Sequence, residues 1–142
     1  MNRQPMTTLS HDVVLECADP WGRTTGVRTT LTYRSEDPYA VGLTFHAGSG
    51  DVEWLLARNL LSRGLLTPIG DGDVRVFPSI GEDGRAVTVL VFSSPDGRLL
   101  AELASDDLQA FLTRTFQLVP AGRENDHLDV DALIDGLLSQ AE

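Results

Sequence analysis

The chain contains no lysine, so all 11 basic residues among its 142 are arginines, set against 21 aspartates and glutamates. The formal net charge is −10, and a surface this acidic repels phosphate backbones and anionic lipid headgroups. Residues 101–142 carry 9 acids and 2 arginines, whereas residues 1–100 carry 12 acids and 9 arginines. The composition therefore favours protein partners over nucleic acid.

Cysteine and long apolar runs are also scarce. Cys17 is the only cysteine, which excludes an intrachain disulfide and is typical of a reducing cytoplasm. The N-terminus lacks the apolar core of a secretory signal, and no apolar run could cross a bilayer. We therefore expect a cytoplasmic protein that reaches a membrane only indirectly, through partners.

Residues suited to catalysis or metal binding are few and poorly spaced. Gly48-Ser49-Gly50 lacks the spacing of a nucleophile elbow, and the loop Pro68–Asp73 is too acidic to cradle a phosphate. One group could be mistaken for a metal site: Asp126, His127, Asp129 and Asp131. It straddles a predicted helix start, where aspartate is expected for capping, and capping is the favoured interpretation. We expect no enzymatic activity, no cofactor and no metal.

Short alternating runs dominate the first hundred residues. The run from Gly26 to Arg34 places Val27, Leu31 and Tyr33 on one side and polar residues on the other, as in a half-buried strand. Seven strands are predicted, at residues 7–17, 26–34, 39–46, 52–56, 74–78, 85–92 and 99–103. Seven short strands joined by tight turns indicate a curved antiparallel sheet or an open barrel.

Helical patterns follow. A short helix is predicted at residues 57–63, with Gly64 as its C-terminal left-handed residue. Ser105 is the expected N-cap of a longer amphipathic helix, and Asp129 caps a second one at residues 130–141. The apolar stripe of the longer helix comprises Leu108, Phe111, Leu112, Thr115, Phe116 and Val119. The fold class is α+β, in a single domain of residues 1–142, with residues 1–6 flexible and residues 123–142 a linker plus C-terminal helix.

The chain also contains an internal echo. Val41–Leu61 aligns without gaps on Thr88–Leu108, 47 positions later, with six identities in 21 positions. Each copy has an apolar run, a glycine turn, a second run and a helix start, with Gly50 matching Gly97. This pattern supports the hypothesis of a β-β-α duplication.

Several segments, in this order, resemble the SsgA-like proteins of sporulating filamentous bacteria. They are DPYAV from Asp37, TFHAG from Thr44, VEWLLARNLL from Val52, GDGDVRVFPS from Gly70, VFSSPDG from Val91, FLTRT from Phe111 and VPAG from Val119. The resemblance covers nearly the whole chain after Val13.

This resemblance implies a non-enzymatic role in sporulation-specific cell division. Members of the family are associated with placing the tubulin-like protein FtsZ at septum sites and promoting its assembly, together with an SsgA-like paralogue. The resemblance also implies a homotrimer, and a fold similar to the whirly and guide-RNA-binding proteins. A single-stranded nucleic-acid-binding or regulatory protein is the alternative, which the shortage of cations disfavours.

A contact surface for FtsZ is predicted from charge. FtsZ-type filaments are acidic, so the arginines near the helix ends are the expected contacts. The candidate residues are Arg58, Arg63, Pro120, Gly122 and Arg123. Self-association as a trimer would cover strand edges and surplus apolar helix surface.

Overall fold

The computed structural model describes residues 6–128 and 130–140. The strands are β1 Thr8–Ala18, β2 Thr24–Arg34, β3 Ala40–Ala47, β4 Gly50–Ala57, β5 Ile69–Asp71, β6 Val74–Ile80, β7 Ala86–Ser94 and β8 Gly97–Ala104. The helices are α1 Arg58–Gly64, α2 Ser105–Leu118 and α3 Val130–Gln140, with a 3-10 helix at Glu124–His127. The predicted flexibility of residues 1–6 concerns mainly residues 1–5, and the predicted N-cap of α3 is Asp129. Both lie outside the described residues.

All eight strands form one antiparallel sheet in the order β4-β3-β2-β1-β8-β7-β6-β5. Phe45 on β3 contacts Phe92 on β7, with ring centroids 5.9 Å apart, although four strand spacings separate them, roughly 19 Å in a flat sheet. The sheet must therefore curl around its inner face. The predicted curved antiparallel sheet is confirmed, with eight strands instead of seven.

The additional strand is β5. Residues 68–73 were predicted to be a loop, but Ile69–Asp71 pairs with Val74–Val76. Gly72 has a φ of +61°, which lets the chain reverse within two residues. The prediction missed this hairpin because β5 is too short to show an alternating pattern.

The core lies between the inner face of the sheet and the helices. The alternation of β2 is confirmed, since Thr29, Leu31 and Tyr33 are each at most 1% exposed. The apolar stripe of α2 is also confirmed, since its members Phe111 and Thr115 are buried. No helix among residues 6–128 and 130–140 combines the length and apolarity that a membrane span requires.

Two predicted helix ends are wrong. Gly64 is the last residue of α1, and its φ is not positive. A Cβ there would overlap the side chain of Val76, so glycine is needed for the close approach of β6. Ser105 is the first residue of α2, its side chain makes no cap, and its hydroxyl lies 2.9 Å from that of Thr88.

The two echoed segments have the same element boundaries. β4 and β8 begin at Gly50 and Gly97, and α1 and α2 begin at Arg58 and Ser105, always 47 residues apart. The φ of Gly50 is 132°, whereas that of Gly97, 159°, is close to ordinary extended backbone. The predicted hairpin followed by a helix is confirmed in both segments. The duplication remains a hypothesis, as does the likeness to whirly proteins.

Candidate partner-binding site

Arg58 is the first residue of α1 and is only 2% exposed. Arg58 was expected on an exposed helix end, and that expectation of exposure is wrong. The start of α1 packs against the end of α2, so the long side chain extends beneath α2 instead of into solvent. Its guanidinium is therefore not part of the surface.

The guanidinium of Arg58 is held by the C-terminal end of α2. Nη1 donates to the carbonyl oxygens of Thr115 at 3.1 Å and Val119 at 2.7 Å. The Thr115 carbonyl also accepts the Val119 N–H at 2.8 Å, whereas Arg58 is the hydrogen-bond donor given for the Val119 carbonyl. The carbonyl end of a helix carries partial negative charge, so a cation at this position interacts favourably with the helix dipole.

Two aromatic rings enclose the same cation. The guanidinium carbon lies 4.1 Å from the ring centroid of Phe116 and 5.1 Å from that of Tyr33, within the range of cation–π attraction. The Tyr33 hydroxyl donates to the Pro38 carbonyl at 2.9 Å. Burial raises the pKa of Tyr33 to about 12, so the phenol stays protonated and keeps donating this hydrogen bond.

Glu124 completes the enclosure. Its Oε1 accepts from Arg58 Nη2 at 3.0 Å and from the Gly122 backbone N–H at 2.9 Å. The Gly122 N–H bond, together with the Arg58 cation, holds the pKa of Glu124 below its usual value. We call this pair the Arg58–Glu124 clasp. It fixes the chain as it leaves α2, where Gly122 adopts a φ of +86°.

The segment after the clasp is anchored as well. Arg123 Nε lies 2.6 Å from Asp126 Oδ2, in an ion pair whose arginine side chain is 70% exposed. The Tyr39 hydroxyl donates to Asn125 Oδ1 at 2.6 Å. The 3-10 helix is thereby attached to the turn that precedes β3.

The structure brings four of the five candidate residues together. Pro120, Gly122 and Arg123 form an exposed loop directly above the buried Arg58. Arg63 is exposed near the other end of α1, about one and a half helical turns from Arg58. Of the candidate residues, the exposed cations are therefore Arg63 and the ion-paired Arg123.

The outer face of the sheet carries a polar network that was not predicted from the sequence. The Thr30 hydroxyl donates to Asp12 Oδ1 at 2.7 Å and lies 2.7 Å from His46 Nε2. His46 Nδ1 lies 3.1 Å from Asp51 Oδ1. The alternation of β1, β2 and β3 placed these side chains on one face, but the strand register that joins them is not visible in sequence.

This network has the connectivity of a hydroxyl–imidazole–carboxylate triad but not its chemistry. A nucleophilic hydroxyl must transfer its proton to the imidazole. The single hydrogen of Thr30 instead points to the Asp12 carboxylate, which leaves His46 to donate to the Thr30 oxygen. The arrangement is therefore suited to holding the four strands β1 to β4 together. Among the described residues, no group of three or more His, Cys, Asp or Glu residues could hold a metal ion.

Comparison with known proteins identifies the family. The model of the Streptomyces sporulation and cell division protein SsgA matches residues 27–124. The sporulation-specific cell division protein SsgB of Kineococcus radiotolerans is 45% identical over 134 residues, which cover 94% of this chain and 81% of that protein. SsgB of Streptomyces coelicolor is 40% identical over 95% of this chain and 98% of that protein.

Solved structures agree. An SsgA-like sporulation-specific cell division protein from Thermobifida fusca superposes with a TM-score of 0.83 at 37% identity, covering 92% of this chain and 95% of that one. A structure of SsgB, whose mutations correlate to longitudinal cell division during sporulation of Streptomyces coelicolor, gives a TM-score of 0.81 at 40% identity, covering 89% and 99%. The resemblance identified from sequence is confirmed, and the chain belongs to the SsgA family of sporulation and cell division proteins.

Proposed function

We propose that the protein is a non-enzymatic, sporulation-specific division protein that positions FtsZ at septum sites and promotes its assembly. The observation that carries the proposal is the match to SsgB proteins along almost the entire chain, at 40% identity and 98% coverage of the Streptomyces coelicolor protein. In this role the protein acts on the cytoplasmic side of the septum. An SsgA-like paralogue is a second proposed partner, and the membrane is reached through partners.

The exposed loop above the clasp is the proposed contact with FtsZ. Pro120, Gly122 and Arg123 are exposed, and the Arg58–Glu124 clasp holds their backbone in one conformation. A rigid loop loses little conformational entropy on binding. Arg63 adds an exposed cation on the neighbouring helix, whereas Arg58 contributes through the shape of the loop.

A co-sedimentation assay with polymerising FtsZ tests the function. We expect the protein to pellet with FtsZ filaments and to increase the pelleted FtsZ mass, because repeated weak contacts along a filament raise avidity. Unchanged FtsZ mass together with no co-sedimentation would contradict the proposal. In a separate experiment, the affinity of the protein for single-stranded DNA is measured at several salt concentrations. A micromolar affinity that falls steeply with salt would favour the nucleic-acid alternative.

The contact surface needs its own variants. Arg63→Glu combined with Arg123→Glu should weaken co-sedimentation about tenfold or more, since both reverse exposed charges. Arg85→Glu is the matched control, because Arg85 is 87% exposed in the turn between β6 and β7. Equal binding by the double variant and the control would refute the surface while leaving the function intact.

A further inference from the structure

Strand β4 forms one edge of the sheet and pairs along its length with β3 alone. The N–H of Arg58, directly after β4, donates to the Tyr39 carbonyl at 2.8 Å. Because bonding alternates along an antiparallel ladder, the even-numbered residues of β4 face β3. The N–H and C=O groups that point away from the sheet belong to Asp51, Glu53 and Leu55. Within the described part of the chain, these groups have no hydrogen-bond partner.

This edge lacks most of the features that prevent strand addition. Proteins protect edges with proline, bulges, very short strands or charged side chains, lysine above all. β4 has eight residues with continuous register and neither proline nor lysine. Its two charged side chains, Asp51 and Glu53, repel an acidic strand but attract a basic one. Leu55 and Val52 are 63% and 52% exposed, and alternation places them on opposite faces of the sheet. We propose that β4 binds an extended, basic segment of a partner protein, which adds to the sheet as a ninth strand.

Charge identifies the occupant. Asp51 and Glu53 are the only charged residues of β4, and both are exposed. Glu53 has no ion-pair partner within residues 6–128 and 130–140. Arginine or lysine directly opposite a carboxylate on a neighbouring strand is a favourable cross-strand pair. An added strand that alternates basic and apolar residues therefore matches this edge.

A second copy of the chain fits this edge less well. Antiparallel pairing of β4 with another β4 would bring Asp51 and Glu53 of both copies close together. The opposite edge, β5, offers only three residues, and one of them is Asp71. Both edges are acidic, so like charges oppose their pairing. The inference rests on the edge itself and is independent of the proposed function.

Synthetic peptides test the proposal on the full-length protein. The probe is a fluorescein-labelled peptide of about nine residues, the length of a strand, in which arginine alternates with valine. We expect saturable binding by fluorescence anisotropy. Methylation of alternate backbone nitrogens keeps the charge but removes hydrogen-bond donors. Of the two possible methylation patterns, the one that blocks the N–H groups facing β4 should bind at least about tenfold more weakly than the one that blocks the outward N–H groups. A glutamate–valine peptide should not bind.

Two variants locate the site. Glu53→Arg should weaken binding of the arginine–valine peptide by at least about tenfold, whereas Glu82→Arg makes the same charge change in the exposed turn between β6 and β7 and should change it less than about twofold. Leu55→Pro removes an outward N–H without touching the ladder to β3 and should also abolish binding.

Three results would overturn the proposal. One is equal binding of both N-methylated peptides, which would indicate nonspecific attraction of cations. Another is equal loss of binding in the Glu53 and Glu82 variants. The third is no peptide binding by the wild type; if Leu55→Pro then also lowers the oligomeric state, a second copy of the chain occupies the edge.

Discussion

At the scale of single residues, Arg58 joins elements that are far apart in sequence. It contacts Tyr33 on β2, the last carbonyls of α2 and Glu124 beyond α2. Its side chain is 3% exposed and that of Glu124 is 16% exposed, so solvent screens this pair much less than a surface pair. Loss of either partner leaves the other group poorly solvated.

Replacing Arg58 by methionine keeps most of the volume and removes the charge. We expect Arg58→Met to lower the free energy of unfolding by about 2 to 3 kcal/mol, because the Glu124 carboxylate and the Val119 carbonyl lose their partner. Urea denaturation measures the change. The control is Arg63→Met on the same helix, which should change stability by less than about 0.5 kcal/mol. A loss below about 1 kcal/mol for Arg58→Met would show that the clasp behaves as a surface ion pair.

Glu124 should make stability depend on acid pH. Its pKa in the folded state lies below the ordinary value of 4.5, chiefly because of the Gly122 N–H and also because of Arg58. The stabilisation is therefore fully present above about pH 4.5 and is lost as pH falls through the folded-state pKa. The stability difference between wild type and Glu124→Gln should shrink on acidification, measured by urea midpoints from pH 7 to about pH 2. Glu82→Gln, at an exposed turn, should follow the wild type; a constant difference for Glu124→Gln would contradict the assignment.

At the scale of elements, the contact between α1 and β6 depends on a missing side chain. Gly64 lies so close to Val76 that a Cβ would overlap it. Because Gly64 has no side chain, β6 and α1 can approach each other more closely than they could with any larger residue at this position.

Gly64→Ala should lower the free energy of unfolding by about 1 to 3 kcal/mol through overpacking. Adding Val76→Ala makes room, so the double variant should lose less stability than the sum of the two single changes. Gly48→Ala is the control, since a Cβ there meets nothing within 4 Å. Strict additivity of Gly64→Ala and Val76→Ala would show that the two residues do not collide.

At the scale of the whole molecule, α3 carries apolar side chains that the described part of the chain leaves exposed. Ile134, Leu137 and Leu138 are 46%, 60% and 61% exposed. Exposed apolar residues grouped on one helix are typical of an interaction surface. This face is the proposed contact of the expected trimer.

Light scattering at tens of micromolar should give about three times the chain mass of 15.4 kDa if the chain forms a closed trimer. Leu137→Ser combined with Leu138→Ser should shift the mass toward one chain, because the helix face loses apolar area. Leu66→Ser changes an 81% exposed leucine elsewhere and should leave the mass unchanged. A monomeric wild type would contradict the trimer, and an unchanged double variant would contradict α3 as its contact.

The sequence by itself determined the elements whose patterns are local. Alternation predicted the buried face of β2, and the helical stripe predicted the buried face of α2, because both periodicities follow from backbone geometry within one element. The family was also identified from ordered segments spread over the chain. The short strand β5 and the packing role of Gly64 left no such pattern.

Only the tertiary structure decided which side chains meet. Arg58 lies 57 residues from Thr115 and 66 from Glu124, and no local pattern encodes that distance. The same holds for the network of Asp12, Thr30 and His46, which depends on strand register. Arg58, which the sequence suggests is a surface cation, is therefore buried in the Arg58–Glu124 clasp. The fold places the carbonyl end of α2 and the Glu124 carboxylate around it.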